Sequence, residues 1–312
     1  MTFSVVARDS ATGDLGIAVA SKFLAVGAVV SHARAGTGAV ATQALANVRY
    51  GPEGLDLMGG AVAASEALRQ LVEADEGRDH RQAGFVDAHG RCASHTGANC
   101  VPWAGGRTAD GLAVQGNLLA GAAVVDAAYE TFLAGGLPFP ELLLRALKAG
   151  DEEGGVRRGR QSAALLVVRD GGGYGGGSDR WIDLRTDDHV APIDELARLL
   201  ELNHLYLDRP DAADLVAIDE SLATEMRELL TRVGYTPEQV EPGGGLSAVV
   251  AAMGVPRTGE PRQAPPGWDE AWEAALSEWM SIENLEERSA ARGWLDPRVL
   301  EFMRDKAGDS VG

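Results

Sequence analysis

The chain has 312 residues, with 28 basic against 46 acidic side chains, a net charge of −18 and a 45% hydrophobic share. So acidic a surface repels phosphate backbones and anionic headgroups, which argues against nucleic acid or a membrane as partner. The hydrophobic share suits a globular chain with a buried core, in one large domain or two smaller ones.

The opening MTFSVVARDSATGDLGIAVASKF alternates: Phe3, Val5 and Ala7 face one side, and Thr2, Ser4 and Val6 the other. DSATGD is a turn cluster and LGIAVAS returns as a second strand, which predicts a hairpin. GAVVSHA and GAVATQA predict a second strand pair turning at Gly36 and Gly38. After YGPEG come two helical stretches, the better being AVAASEALRQLVEAD, where Val62, Leu68, Leu71 and Val72 repeat at helical spacing. Strands resume in RQAGFVDAHGRCASHTG, turning at Ala88, His89 and Gly90, and in GLAVQGN. The helices VVDAAYETFLAG and PELLLRALKAG follow. Strands QSAALLVVR and RWIDLRTD are then joined by DGGGYGGGSD, which lacks the lysine and following helix of a phosphate-binding loop. The helix PIDELARLLELNHLYL closes a first domain, residues 1–207.

Most strands are linked by turns too short for parallel crossovers, so the sheets should be largely antiparallel. Strands, helices, strands, helices, strands is an α+β order that two face-to-face sheets with helices outside would satisfy. Residues 208–312 read as a helical accessory domain, with helices in DLVAIDESLATEMRELLTRVGY, GGGLSAVVAAMGV and WDEAWEAALSEWM. Trp268, Trp272 and Trp279 fall near one helical face, as a small core or a docking patch. An apolar segment on so acidic a chain needs cover, from which a homo-oligomer is expected.

Chemistry is suggested first by Thr2. A small residue at position 2 lets the initiator Met be removed, leaving a threonine that carries nucleophile and base together. In a hairpin turning about Ala11 and Thr12, opposed residues sum to 23 or 24, so Thr2 faces Ser21 or Lys22. Lys22, one of three lysines, is the expected cation on that face, and Ser21 the alternative polar partner. For an oxyanion, QGNLLAG supplies Gln115 and Asn117, ATQALAN supplies Thr42, Gln43 and Asn47, and SHTGAN supplies Thr96 and Asn99. Asn117, where a strand meets a helix, is the first choice. No histidine has triad spacing with a serine, and there is no G-x-S-x-G. Cys92, His95 and Cys100 form C-x2-H-x4-C without a fourth ligand, so neither metal nor cofactor is expected. With no leader pattern and no run long enough to span a bilayer, the expected location is the cytoplasm and both cysteines are expected as thiols.

Taken together, TFSVVARDSATGDLGIAVASK, GAVATQALANVRYGPEGL, GRDHRQAGFVDAHGR, HTGANCVPWAG, VQGNLLAG, RGRQSAALLVV and DDHVAPIDEL resemble the family called domain of unknown function 1028. The resemblance runs from Thr2 to about Leu207 and implies the N-terminal nucleophile (Ntn) hydrolase superfamily, with its four-layer αββα sandwich. It implies Thr2 as nucleophile of an amidohydrolase acting on a small amide, ureido or peptide-like molecule. Lys22, Ser21 and Asn117 are then its catalytic partners, and Gln43, Arg81, Gln82, Thr96 and Gln115 the substrate-binding candidates. WEAALSEWMSIENLEERSAARGWLDPRVLEFMRD is similar to the peptidoglycan-binding segment often appended to this family. The competing reading is a binding or scaffold protein on the same fold, without turnover. A glycan tether through the C-terminal domain would need export.

Overall fold

The computed structural model describes residues 2–240, 245–252 and 254–309. The chain divides into two units between Leu200 and Glu201, inside the helix expected to close the first domain at residue 207.

The first unit begins with the expected hairpin, β1 (Thr2–Arg8) and β2 (Leu15–Ser21). Next come the single turn α1 (Gly27–Val30), β3 (Ser31–Arg34) and β4 (Gly38–Ala44). α2 (Tyr50–Gly59) and α3 (Ala64–Ala74) precede β5 (Arg81–Asp87), β6 (Cys92–Thr96), β7 (Gly105–Ala109) and β8 (Leu112–Asn117). α4 (Ala123–Ala134), α5 (Phe139–Glu152), β9 (Ser162–Val168), β10 (Arg180–Thr186) and α6 (Pro192–Leu207) complete the order.

These strands form two sheets, β10-β9-β2-β1-β8-β7 and β3-β4-β5-β6, antiparallel throughout. Alternation decides what each face meets. Phe3, Val5 and Ala7 pack with Val124 and Ala128 of α4, Leu143 and Leu147 of α5, and Leu196 of α6. On the opposite face, Val6, Ile17 and Val19 meet Ala39, Ala41 and Val86 of the smaller sheet. The far side of that sheet, with Val40, Ala83 and Phe85, buries Leu55 and Met58 of α2 and Ala67 and Leu68 of α3.

Two expectations are corrected here. The stretch read as a strand from Gly27 is helical to Val30, because Val26 and Val30 fill the apolar layer between the sheets. A side chain at Gly27 would overlap Ala164 and Arg185, so glycine is what lets α1 lie against β9. The edge strand β7 was not foreseen, since GGRTA has no apolar alternation.

The second unit holds β11 (Val216–Ala217), α7 (Glu220–Arg232), α8 (Gly245–Ala252), α9 (Glu270–Ile282), β12 (Trp294–Leu295) and α10 (Pro297–Asp309). The sequence placed Gly243, Gly244 and Met253 with α8; they lie outside the described residues. Asp219 and Asp269 cap α7 and α9, accepting from backbone N–H groups of the first turn. Met226, Leu230, Trp279, Val299 and Met303 form the core. Trp268 and Trp279 are 2% and 1% exposed, and Trp272 stacks on Trp268 with ring centroids 6.3 Å apart. The unit thus covers its own aromatics, which removes the ground on which a homo-oligomer was expected. Beside this core lies a buried ion pair, Arg288 to Asp296 at 2.8 Å, whose guanidinium also donates to the carbonyls of Leu205 and His204. Among the described residues no helix is long and apolar enough to cross a membrane.

Candidate active site

The layer between the two sheets is apolar at one end and polar at the other. On the inward face of β1, Val6 gives way to Ser4 and Thr2; on β8, Ala113 gives way to Gln115 and Asn117. Gln43 of β4 and Gln82 of β5 come in from the smaller sheet. Ser4, Gln43, Gln82, Gln115 and Asn117 are all buried, so each needs partners. They find most of them in one another, although Gln115 Oε1 accepts no hydrogen bond among the described residues. Ser4 Oγ donates to Gln43 Oε1 at 2.8 Å, and Gln43 Nε2 donates to Gln82 Oε1 at 2.7 Å. Asn117 Nδ2 donates to the same Gln82 oxygen at 2.9 Å, and Gln115 Nε2 to Ser4 Oγ at 2.7 Å. Gln82 Nε2 closes the set on the Gly116 carbonyl at 2.7 Å and Thr96 Oγ1 at 2.9 Å.

Thr2 stands at the mouth of this network, 6% exposed. Its register partners are Ser21 on β2 and Asn117 on β8. Thr2 Oγ1 lies 3.1 Å from Ser21 Oγ, and the Thr2 carbonyl accepts long bonds of 3.4 Å from Asn117 Nδ2 and Gln43 Nε2. The expectation that Lys22 shares this face is corrected: the hairpin sum is 23, so Ser21 takes the opposed position. Lys22 comes just after the strand ends, and its Nζ donates to the Arg160 carbonyl at 3.3 Å. Met1, on whose removal a free Thr2 amine depends, lies outside the described residues.

Thr2, Ser21, Gln43 and Asn117 contribute to the lining of a cavity of about 920 Å³, of the size that holds small ligands. Val26 and Val29 beside and within α1, with Leu45 and Leu118, supply apolar lining; Lys22, Arg81 and Arg158 also line it. Ala44 and Leu118, the residues after Gln43 and Asn117, have φ of 68° and 54°. Left-handed backbone at two non-glycine residues is strain concentrated where the network opens on the cavity.

Arg81 is held from behind. Its Nε donates to Asp75 Oδ2 at 3.0 Å and its Nη1 to the Leu45 carbonyl at 2.6 Å. Asp75 also accepts from Asn47 Nδ2, the Tyr50 hydroxyl and the Gly77 N–H. The Arg81 hydrogen bond is the main force holding the Asp75 carboxyl well below the usual carboxylate range. Burial, and then Asp75, push the Tyr50 hydroxyl upward.

Three residues expected to touch substrate do not reach this cavity. Gln82 and Gln115 are fully buried behind its lining and act only through the residues they hold. Thr96 faces a separate cavity of about 590 Å³. The suggested metal ligands are apart as well: Cys92 Sγ donates to the Ala109 carbonyl, Cys100 Sγ to the Arg81 carbonyl, and His95 Nε2 meets the Arg78 carbonyl. Among the described residues no group of three or more His, Cys, Asp or Glu could hold a metal ion. Burial pushes both thiols upward, so at neutral pH Cys100 lines the cavity as a protonated, weak nucleophile. Sequence reasoning missed Asp75, the α1 wall and Arg158. Only Arg158 had a signal, in the basic run RRGR before β9.

Comparison with known proteins bears on both units. A sequence model described as "Family of unknown function (DUF1028)" matches residues 2–196, and one described as "Putative peptidoglycan binding domain" matches residues 247–303. The crystal structure of protein SPO2555 from Silicibacter pomeroyi, assigned to the same DUF1028 model, superposes with a TM-score of 0.60 at 31% identity. That match covers 65% of this chain and 89% of the other. No curated protein matches.

Proposed function

The chain belongs to the DUF1028 family, and from that membership and the buried threonine heading β1 we propose an N-terminal-nucleophile amide hydrolase. The observation that carries the reading is the Thr2 hydroxyl, held by Ser21 at a cavity mouth with Asn117 on its other flank. Helices packed outside two facing sheets support an Ntn-type four-layer αββα arrangement.

In this reading Met1 is removed and the Thr2 α-amine is free. Thr2 Oγ1 attacks the amide carbon of a small substrate and its proton passes to that amine. The carbonyl oxygen takes up negative charge beside Asn117, whose long bond to the Thr2 carbonyl is the one a developing oxyanion replaces. Collapse breaks the C–N bond, the leaving amine takes the proton back, and water cleaves the threonine ester.

The test is covalent labelling with a β-lactone read by intact mass. Wild type and Thr2→Ser should lack the Met mass and gain one adduct, and Thr2→Val, which keeps the branched shape but no hydroxyl, should gain none. Equal labelling of wild type and Thr2→Val overturns the reading.

The match over residues 247–303 favours a second reading, a glycan-binding role for the second unit. The full chain should then co-sediment with purified peptidoglycan. Persistence of the chain in the supernatant at every peptidoglycan concentration removes this reading and leaves the first intact.

A further inference from the structure

The cavity at Thr2 has a charge opposite to that of the chain. Lys22, Arg81 and Arg158 contribute to its lining, and among the described residues no Asp or Glu does, although acidic side chains outnumber basic ones 46 to 28. The three cations are not equivalent. Arg81 is already matched by Asp75 behind it. Among the described residues, Lys22 hydrogen-bonds only to the neutral carbonyl of Arg160. Arg158 is exposed, and among the described residues no hydrogen bond or ion pair holds it. Two uncompensated cations therefore share a cavity with the Thr2 hydroxyl, next to the apolar surface of Val26, Val29, Leu45 and Leu118.

Resting on the hydrolase reading above, we infer that the substrate is a carboxylate-bearing amide with an apolar body. Its carboxylate meets Lys22 and Arg158, its apolar part packs on the valines of the α1 wall, and its amide carbonyl lies against Thr2. A guanidinium presents paired donors that match the two oxygens of a carboxylate, and an ammonium adds a mobile point charge. An acidic protein exterior otherwise disfavours an anion, so the local reversal is what a site for one requires.

The experiment uses the full chain with a panel of N-acetylglycine, N-acetyl-L-valine and N-acetyl-L-leucine, each beside its uncharged methyl ester. Binding is read by calorimetry and ligand-observed NMR at low salt. At least one acid should bind about tenfold more tightly than its ester, and added salt should erode that difference. Arg158→Gln and Lys22→Gln should each weaken the acid by about tenfold and leave the ester unchanged. Both side chains lie on the surface of the cavity, so neither change should disturb the fold. Esters equal to their acids, no binding by any acid, or indifference to both substitutions overturns the inference. Acetate release, followed in the same samples, separates the two readings. Selective binding of acids without release supports the anion site and counts against the hydrolase; release from esters in preference to acids does the reverse.

Discussion

At the scale of single residues, Asp75 has the clearest experimental signature. Arg81, Asn47, Tyr50 and the Gly77 N–H all converge on its carboxylate, and the folded chain holds that group ionised to lower pH than an unfolded chain does. A group with a depressed folded pKa contributes its full stability above the unfolded value, about 3.9 for Asp, and loses it as pH falls from there through the folded value. Asp75→Asn should therefore cost about 1–3 kcal/mol at neutral pH and flatten the acid limb of a plot of melting temperature against pH. An unchanged limb would mean that other carboxylates dominate acid unfolding. Cys100 makes a second prediction. Its thiol is raised by burial, so iodoacetamide at neutral pH should label it more slowly than an unhindered model thiol, and Cys100→Ser should leave β-lactone labelling intact.

At the scale of elements, the approach of β5 to β8 sets how tightly the two sheets close on the polar network. A Cβ on Gly84 would overlap the Gln115 carboxamide, whereas one on Gly121 would meet nothing within 4 Å. Gly84→Ala should lose about 1–3 kcal/mol in urea unfolding while Gly121→Ala stays near neutral. Equal costs would show that the sheets have slack. Such elements also mark what could be read in the sequence. β1 announces itself by alternation and β2, β5 and β8 by short strand-like runs, and Thr2, Ser21, Gln43 and Asn117, all singled out from the sequence, do come together at one cavity. The role of Gln82 and Gln115 was not legible, because a glutamine facing a cavity and one facing another sheet have the same spacing. The register of the hairpin was ambiguous by one residue, enough to exchange Lys22 for Ser21. α1 was misread because its valines favour strands, and only packing makes them helical.

At the scale of the whole molecule, the two units rest on different kinds of support. The first closes its inter-sheet layer with neutral amides, and the second buries an ion pair, Arg288 and Asp296, with side chains 5% and 4% exposed. Removing one partner leaves the other charge without compensation, so Asp296→Ala should cost about 3–5 kcal/mol, read as loss of hydrogen-exchange protection in α9 and α10. Protection kept at wild-type level there would contradict it. The sheet order of the first unit carries a temporal consequence. β1 lies in the interior of a six-stranded sheet, yet its neighbours are β2, made at once, and β8, which begins at Leu112. At ribosomal speeds of about 5–20 residues per second, the newborn hairpin waits on the order of 5–20 s for β8, and longer for β9, which pairs the other edge of β2. Through that interval both edges are unpaired, and the face that will meet α4 and α5 stays bare because those helices follow β8, a state that invites pairing between nascent chains. Slow translation or a holding chaperone should thus govern the yield of folded protein more than the stability of the finished fold does.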